Sequence, residues 1–121
     1  MNKYRDKSDF EINKAVADKL QSIDYIDNYI SHNGAVCIAD SYGASVTFDP
    51  CNNPADAMPI VIDNGISLLL DVGENCHVAT NNSYGWFSDK CAEVIDSASD
   101  NIYRAAMEVF LMMKDAENEK I

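Results

Sequence analysis

The four cysteines and two histidines are the side chains of this chain best suited to nucleophilic or metal chemistry. Cys51 together with His32 or His77 would supply a thiol nucleophile and a base. No glycine elbow or oxyanion-hole signature accompanies them, so the pattern favours a buried, inert thiol. Cys76, His77 and Cys91 are zinc-type ligands, but adjacent strand residues point to opposite faces and the usual paired spacing is missing. We therefore predict no catalytic residue, no metal site and no cofactor.

The run from Asp49 to Pro59 contains all three prolines, together with asparagines, a thiol and carboxylates. As a rigid binding loop, it would present amide donors and a helix N-terminus to an anion or a backbone. As a strand-to-helix connection, it would place Asn53 at the N-cap and Pro54 at the first helical position. The pattern favours the connection, and the two interpretations are compatible. The candidate binding residues in this run are Asp49, Cys51, Asn52, Asn53 and Asp56.

Trp86 lies in a glycine-containing loop with Tyr84 and Phe87 beside it. Exposed aromatic residues are common hot spots of protein interfaces. Tyr84 and Trp86 therefore complete the set of candidate binding residues. The sequence leaves open whether Trp86 is instead an anchor of the core.

No lysine or arginine occurs from Leu20 through Asp89, a span of 70 residues that carries nine of the 20 carboxylates. We call this span the cation-free segment. The rest of the chain holds 11 acids and nine bases, so most of the net charge of −11 belongs to the cation-free segment. Proteins grip phosphates and anionic lipids with Lys and Arg. We therefore expect neither direct nucleic-acid binding nor membrane binding.

The start of the chain and its cysteines predict a cytoplasmic protein. Residues Met1 to Lys7 are polar and no apolar segment follows them, which is unlike a signal peptide. No stretch approaches the ~20 apolar residues that span a membrane. The four cysteines are far apart and form no C-x-x-C pair, as is typical of reduced cytosolic thiols.

Amphipathic helices are predicted at both ends of the chain. Ser8 and Glu11 have capping-box spacing, so the first helix should begin at Asp9. Ser99 is the predicted cap of the last helix, and Arg104 within it is expected to pair with a nearby acid. Apolar residues recur at helical spacing in both segments. The two stripes are Ile12, Ala15, Val16 and Leu20, and then Ile102, Ala106, Val109, Phe110 and Met113.

The middle of the chain predicts two hairpins, and a further strand would raise the strand count from four to five. The segment from Ser22 to Ile30 is ambiguous between a helix continuation and a strand. Asn33-Gly34 is a strong turn dipeptide. The hairpins pair Ala35–Ala39 with Ala44–Phe48 and Ile66–Leu70 with Cys76–Thr80, and the fifth strand would run from Lys90 to Ile95.

A short central helix should begin at Pro54 and end at Asn64-Gly65. Pro59 must interrupt or restart this helix, because it lacks an amide donor and its ring clashes with the preceding turn. The order of elements predicts an α+β fold in which helices cover one face of an antiparallel sheet. We expect one domain over residues 1–121, with fraying at 1–7 and 116–121.

Three segments of the chain resemble the small NinX-like proteins of enterobacterial tailed phages and prophages. The resemblance is carried by Asp9–Ala17, by Asp49–Ile60 running into Ile66-Ser67-Leu68, and by Arg104-Ala105-Ala106 before Phe110–Met113. That family is a domain of unknown function. The resemblance therefore implies a phage or prophage context and an intracellular setting, and it implies little chemistry.

The charge distribution and the resemblance together favour a phage accessory protein that binds a host protein with a basic surface. A polyanion mimic or anti-defence factor is one version of this hypothesis. The alternative is a small-ligand-binding protein or enzyme with its site at the Asp49 to Pro59 loop. A self-associating structural protein is a third possibility, and the sequence does not distinguish a monomer from a homodimer.

Overall fold

The computed structural model describes residues 2–23, 26, 29–32, 34–39, 42, 44–82 and 94–119. These residues form three helices and six strands. The helices are α1 (Asp9–Ser22), α2 (Pro54–Asp63) and α3 (Ile102–Glu119), and the strands are β1 (Tyr29–His32), β2 (Ala35–Ala39), β3 (Ser45–Phe48), β4 (Ser67–Gly73), β5 (Cys76–Thr80) and β6 (Asp96–Ser99).

The strands form two antiparallel, three-stranded sheets of order β1-β2-β3 and β4-β5-β6. The predicted α+β, single-domain fold is confirmed, because one core cluster draws buried residues from both sheets and all three helices. The two predicted hairpins are present as β2–β3 and β4–β5, but the prediction of a single sheet with four to five strands is wrong. Each predicted strand pair has gained a third strand, and the two sheets stay separate.

The capping box of α1 forms as predicted. The Ser8 hydroxyl accepts from the Glu11 amide at 3.1 Å, and the Glu11 carboxylate accepts from the Ser8 amide at 3.3 Å. These two bonds satisfy donors that the helix leaves unpaired at its N-terminus. The buried face of α1 consists of Ile12, Asn13, Val16, Ala17 and Leu20.

The first sheet resolves the ambiguous Ser22 to Ile30 segment, since its end belongs to β1. The register pairs His32 with Ala35, so β1 and β2 are joined by two residues, and Gly34 has a φ of +76°. Glycine adopts this left-handed conformation at no steric cost, as the turn dipeptide indicated. On the next pair, Val36 lies opposite Phe48, and both are buried.

α2 continues through Pro59, so the predicted interruption is wrong. Pro59 forgoes one helical hydrogen bond, which costs about 3 kcal/mol in a helix interior. The neighbouring residues Ala57, Ile60 and Val61 are buried in the core, and their burial offsets this cost. The predicted end is confirmed, with Asn64 as C-cap and Gly65 at a φ of +65°.

The third strand of the second sheet is β6, which lies beyond the predicted Lys90–Ile95 strand. Residues 90–93 are outside the described residues, and Val94 and Ile95 precede β6 without belonging to it. The sequence of β6, Asp-Ser-Ala-Ser, has low β propensity. Pairing with β5 and burial of Ser97 decide this strand, and neither is visible from local sequence.

α3 is the central helix of the fold and packs against α1, α2 and the second sheet. All eight residues from Arg104 to Leu111 are buried, so the helix is enclosed all round in its first half, and not along a single stripe. The helix extends through Glu119 and thus includes part of the 116–121 segment that was expected to fray. None of the helices in the described ranges combines the length and apolarity needed to cross a membrane.

Candidate functional site

The loop from Asp49 to Asn53 carries the chain from β3 into α2. Asn53 caps α2 as predicted, because its side-chain oxygen accepts from the Ala55 amide at 3.0 Å and Pro54 follows it. In the first turn, the Asp56 carboxylate accepts from the Asp49 amide at 2.9 Å. Two of the five candidate residues, Asn53 in this loop and Asp56 in α2, therefore stabilise the start of a helix.

A buried asparagine of α1 holds the loop in place. The Asn13 side chain donates to the Asp49 carboxylate at 2.7 Å and accepts from the Cys51 amide at 3.1 Å. Asn13 is 6 % exposed, so both bonds are largely shielded from water. Nearer the surface, Asn52 donates to the carboxylates of Asp9 and Asp49 at 3.2 Å each.

The N-terminus of α3 meets the same loop. Asn101 caps α3 by accepting from the amides two and three residues later at 3.0 and 3.3 Å, and it donates to the Cys51 carbonyl at 2.8 Å. The prediction that Ser99 caps this helix is wrong. Ser99 lies in β6, and its hydroxyl accepts from the Asn101 amide at 3.1 Å.

The N-termini of all three helices thus converge around the Asp49 to Asn53 loop, and we call this region the N-terminal junction. Each helix N-terminus behaves as roughly half a positive charge. Asp9 and Asp56 lie in the first turns of α1 and α2, and Asp100 immediately precedes the cap of α3. The negative charges of these carboxylates are therefore favourable at the helix N-termini, which is a structural role.

Arg104 connects the N-terminal junction to residues 2–8, which precede α1 and which we call the N-terminal segment. It is 9 % exposed, and its guanidinium donates to Glu108 at 2.7 Å and to Asp9 at 2.6 Å. The predicted pairing of Arg104 with an acid is confirmed. Burial alone would lower the pKa of Arg104, but the hydrogen bonds to these two acids outweigh it and raise that pKa. The guanidinium also donates to the carbonyls of Tyr4, Arg5 and Lys7 at 2.9, 3.3 and 2.6 Å.

Glu108 is a buried carboxylate with partners on every side. It is 4 % exposed and accepts from Asn2 and Ser97 at 2.6 Å each, in addition to Arg104. A buried charge is stable only when it is paired and fully hydrogen-bonded. Glu108 meets that condition, which indicates a structural role.

The three sequence segments that resemble a phage family come together here. Asn13 bonds to Asp49, and Arg104 bonds to Asp9, so the first, central and last segments all contribute to the N-terminal junction. Comparison with protein families gives a match to the family described as Bacteriophage P22, NinX, over residues 3–114. The chain belongs to the NinX family. No curated protein matches it.

Membership in the NinX family identifies a phage accessory protein and assigns it no activity. The resemblance seen in the three segments is confirmed by a match that covers nearly the whole chain.

The thiol of Cys51 is in the core of the NinX-family protein and is 0 % exposed. Burial, followed by the negative charge of Asp9, raises the pKa of Cys51 well above its usual range. Its sulfur lies 3.9 Å from the Asp9 carbonyl oxygen, which is a weak contact. A buried, protonated thiol is a poor nucleophile, so this environment favours the inert thiol over the nucleophile.

Tyr84, Trp86 and Phe87 lie outside the described residues. Cys91, one of the three zinc-type ligands considered, also lies outside them, and within the described ranges no group of three or more His, Cys, Asp or Glu side chains is arranged to hold a metal ion.

A cleft of about 440 Å³ opens beside the N-terminal junction, on the side of α3. None of the five candidate residues of the Asp49 to Asn53 loop and α2 lines it. The sequence could have identified Asn101, a residue of the N-terminal junction, as the cap of the last helix, because it immediately precedes that helix and asparagine is a preferred N-cap. The lining residues of the cleft are Arg5, Asp9, Ala98, Ser99, Asp100, Asn101, Arg104 and Glu108.

Proposed function

We propose that this NinX-family protein acts in the host cytoplasm by binding a host protein that presents a basic surface. The observation that carries the proposal is the distribution of ion pairs. Every Lys or Arg ion pair among the described residues lies within the N-terminal segment, α1 and α3. These pairs are Lys3–Asp115, Lys7–Glu11, Lys19–Asp115, Arg104–Asp9, Arg104–Glu108 and Lys114–Glu117.

The described carboxylates of the cation-free segment have no such neutralisation. In its described part, no acid forms an ion pair with Lys or Arg, and Asp63, Asp71 and Glu74 are exposed. The residues before α1, α1 itself and α3 are therefore nearly balanced in formal charge, and the described part of the cation-free segment carries only negative formal charge with its histidines neutral. A surface of this kind attracts basic partners and speeds their association, in a manner that weakens with salt.

The spacing of the exposed acids supports discrete protein contacts better than imitation of DNA. Asp63 is at the end of α2 and Asp71 is the fifth residue of β4, so about 13 Å of strand separates the start of β4 from Asp71. Duplex DNA carries one charge per ~1.7 Å of axis. Acids this sparse suit the basic patch of a protein partner.

The experiment is affinity capture from host lysate with the tagged, full-length chain. Capture at ~0.1 M salt is compared with capture at ~1 M salt, where the screening length falls from about 10 to 3 Å. We expect a defined host protein, identified by mass spectrometry, that is retained only at the lower concentration. Capture that is indifferent to salt, or no specific capture, would contradict the proposal.

Charge variants separate a directed surface from a general effect of net charge. The triple variant Asp63→Asn, Asp71→Asn, Glu74→Gln removes three exposed acids from the cation-free segment and should weaken capture. Its matched control removes the same charge from exposed acids outside the cation-free segment and should leave capture unchanged. The control substitutions are Asp6→Asn, Asp96→Asn and Glu117→Gln.

A further inference from the structure

The end of the β4–β5 hairpin is exposed at every residue from 70 to 75, and we call these residues the hairpin tip. Two large apolar side chains stand in it, with Leu70 61 % and Val72 42 % exposed. Solvated turns usually carry polar residues, and a pair of exposed aliphatic side chains is typical of contact surfaces. The fold itself makes little use of these two side chains.

The backbone of the hairpin tip is held in an irregular shape. The register pairs Leu69 with Val78 and Gly73 with Cys76, so three residues of β4 lie opposite His77 alone. Bulges of this kind redirect side chains and are common next to functional surfaces. The bulge is fastened at its centre, because the Asp71 amide donates to His77 Nδ1 at 3.0 Å.

Asp71 and Asn75 both have a left-handed backbone, with φ of 57° and 52°. Such a conformation is uncommon outside glycine and persists when surrounding contacts hold it. The chain thus maintains a defined, projecting shape that presents Leu70 and Val72 outward. A shape fixed before binding reduces the ordering cost of an interface.

The charge of the hairpin tip is purely negative. The Asp71 side chain is 85 % exposed and lies 3.7 Å from His77, and Glu74 is exposed. Among the described residues no Lys or Arg forms an ion pair with either acid. The hairpin tip therefore combines two apolar side chains with two exposed carboxylates that have no Lys or Arg partner among the described residues.

We propose that the hairpin tip is the docking element of this protein. Leu70 and Val72 enter an apolar recess of the host partner, and Lys or Arg side chains at the rim of that recess pair with Asp71 and Glu74. The inference rests on the proposed function and specifies its surface. Charge complementarity selects this occupant over a second copy, since the tip of another chain with a net charge of −11 would bring like carboxylates together.

The first test measures binding of the partner captured at low salt, in purified form, by the full chain and its variants. Leu70→Thr/Val72→Thr places β-branched residues, which suit a strand, at both positions. Asp71→Asn/Glu74→Gln keeps at position 71 a residue that tolerates the left-handed conformation. Each double variant should raise Kd about tenfold or more, as hot-spot residues do. The matched controls are Ile30→Thr, at a side chain 65 % exposed on β1, and Asp6→Asn/Glu117→Gln, at two exposed acids outside the cation-free segment; both should leave Kd within about twofold.

A second measurement does not depend on affinity. A photo-crosslinking amino acid at Val72 should link to the same partner in the host cell, and the same group at Ile30 should not. Circular dichroism of every variant verifies that the fold is unchanged.

The outcomes separate the two proposals. A salt-sensitive partner whose Kd is unchanged by both tip variants, or which crosslinks equally from both positions, overturns the docking element and leaves the proposed function standing. The absence of any salt-sensitive partner overturns both. A mass that rises with concentration and returns to the monomer in Leu70→Thr/Val72→Thr assigns the tip to a second copy and overturns the host-partner assignment.

Discussion

Replacement of Arg104 tests whether the contacts at the N-terminal junction stabilise the folded state. Arg104→Met keeps much of the side-chain volume and removes the guanidinium, which makes two contacts to carboxylates and three to backbone carbonyls. Glu108, 4 % exposed, would keep its hydrogen bonds to Asn2 and Ser97 but lose its only nearby cation among the described ion pairs.

The expected loss follows from that uncompensated charge. Removal of one partner of a buried ion pair costs about 3–5 kcal/mol. Asp9 adds little, because its side chain is 47 % exposed and becomes hydrated. We therefore expect Arg104→Met to lower the free energy of unfolding by about 4 kcal/mol, a large share of the ~5–15 kcal/mol typical of a domain.

Two further variants separate charge from geometry. Arg104→Lys keeps the charge but has three donors for five contacts, so it should lose about 2 kcal/mol, at about 1 kcal/mol per hydrogen bond. Arg104→Met/Glu108→Met removes both charges, and it should be less destabilised than the sum of its single variants by about 2 kcal/mol.

The assay is urea denaturation followed by far-ultraviolet circular dichroism, with ΔG compared at an unchanged m-value. A loss below ~1 kcal/mol for Arg104→Met would be typical of a surface pair and would refute the reasoning. Equal losses for the Lys and Met variants would show that the fork geometry, and not the charge, holds the junction together.

Three other predictions follow from individual side chains. Cys51 should resist a thiol reagent in the native protein while the half-buried Cys37 reacts, because burial and the charge of a neighbouring acid raise the pKa of Cys51. Equal reaction rates of the two thiols would contradict this prediction. The hydrogen bond to Asp18, then burial, then the charge of Asp18 raise the pKa of Tyr29 to about 12, so an ultraviolet titration should show late ionisation of Tyr29 that Asp18→Asn makes earlier. The folding stability that this pKa shift contributes is complete below pH ~10 and is lost as the pH rises toward about 12. Pro59→Ala should raise the free energy of unfolding by about 2 kcal/mol, because it restores a hydrogen bond in the helix interior at an exposed position, and the greater freedom of the unfolded chain cancels part of that gain. A lower free energy of unfolding in the variant would show that Pro59 stabilises the fold.

Local signals predicted the parts of the fold that neighbouring residues decide. The capping box at Ser8 and the Asn53-Pro54 helix start each depend on atoms within three residues, so the sequence pattern is sufficient for them. The β-prone run Cys76–Thr80 is likewise recognisable alone. These elements were confirmed at or within a residue of their predicted starts.

The errors lie where distant residues decide. Ser99 and Asn101 are both acceptable N-cap residues. The choice depends on Cys51, which is 50 residues away from Asn101 in sequence, because the Cys51 carbonyl accepts a hydrogen bond from the Asn101 side chain. Pro59 was predicted to break its helix because a sequence shows the cost of the missing amide but not the core contacts that offset it. The weakly β-prone β6 exists because β5 pairs with it.

The sequence by itself determined the segregation of charge, since the absence of Lys and Arg from Leu20 to Asp89 holds for any fold of this chain. Only the tertiary structure decided what each charge does. Arg104 and Asp9 are 95 residues apart and meet in an ion pair, whereas Asp71 and Glu74 are left in solvent. The physical reason is that composition sets net charge, but burial and pairing depend on which surfaces the hydrophobic core brings into contact.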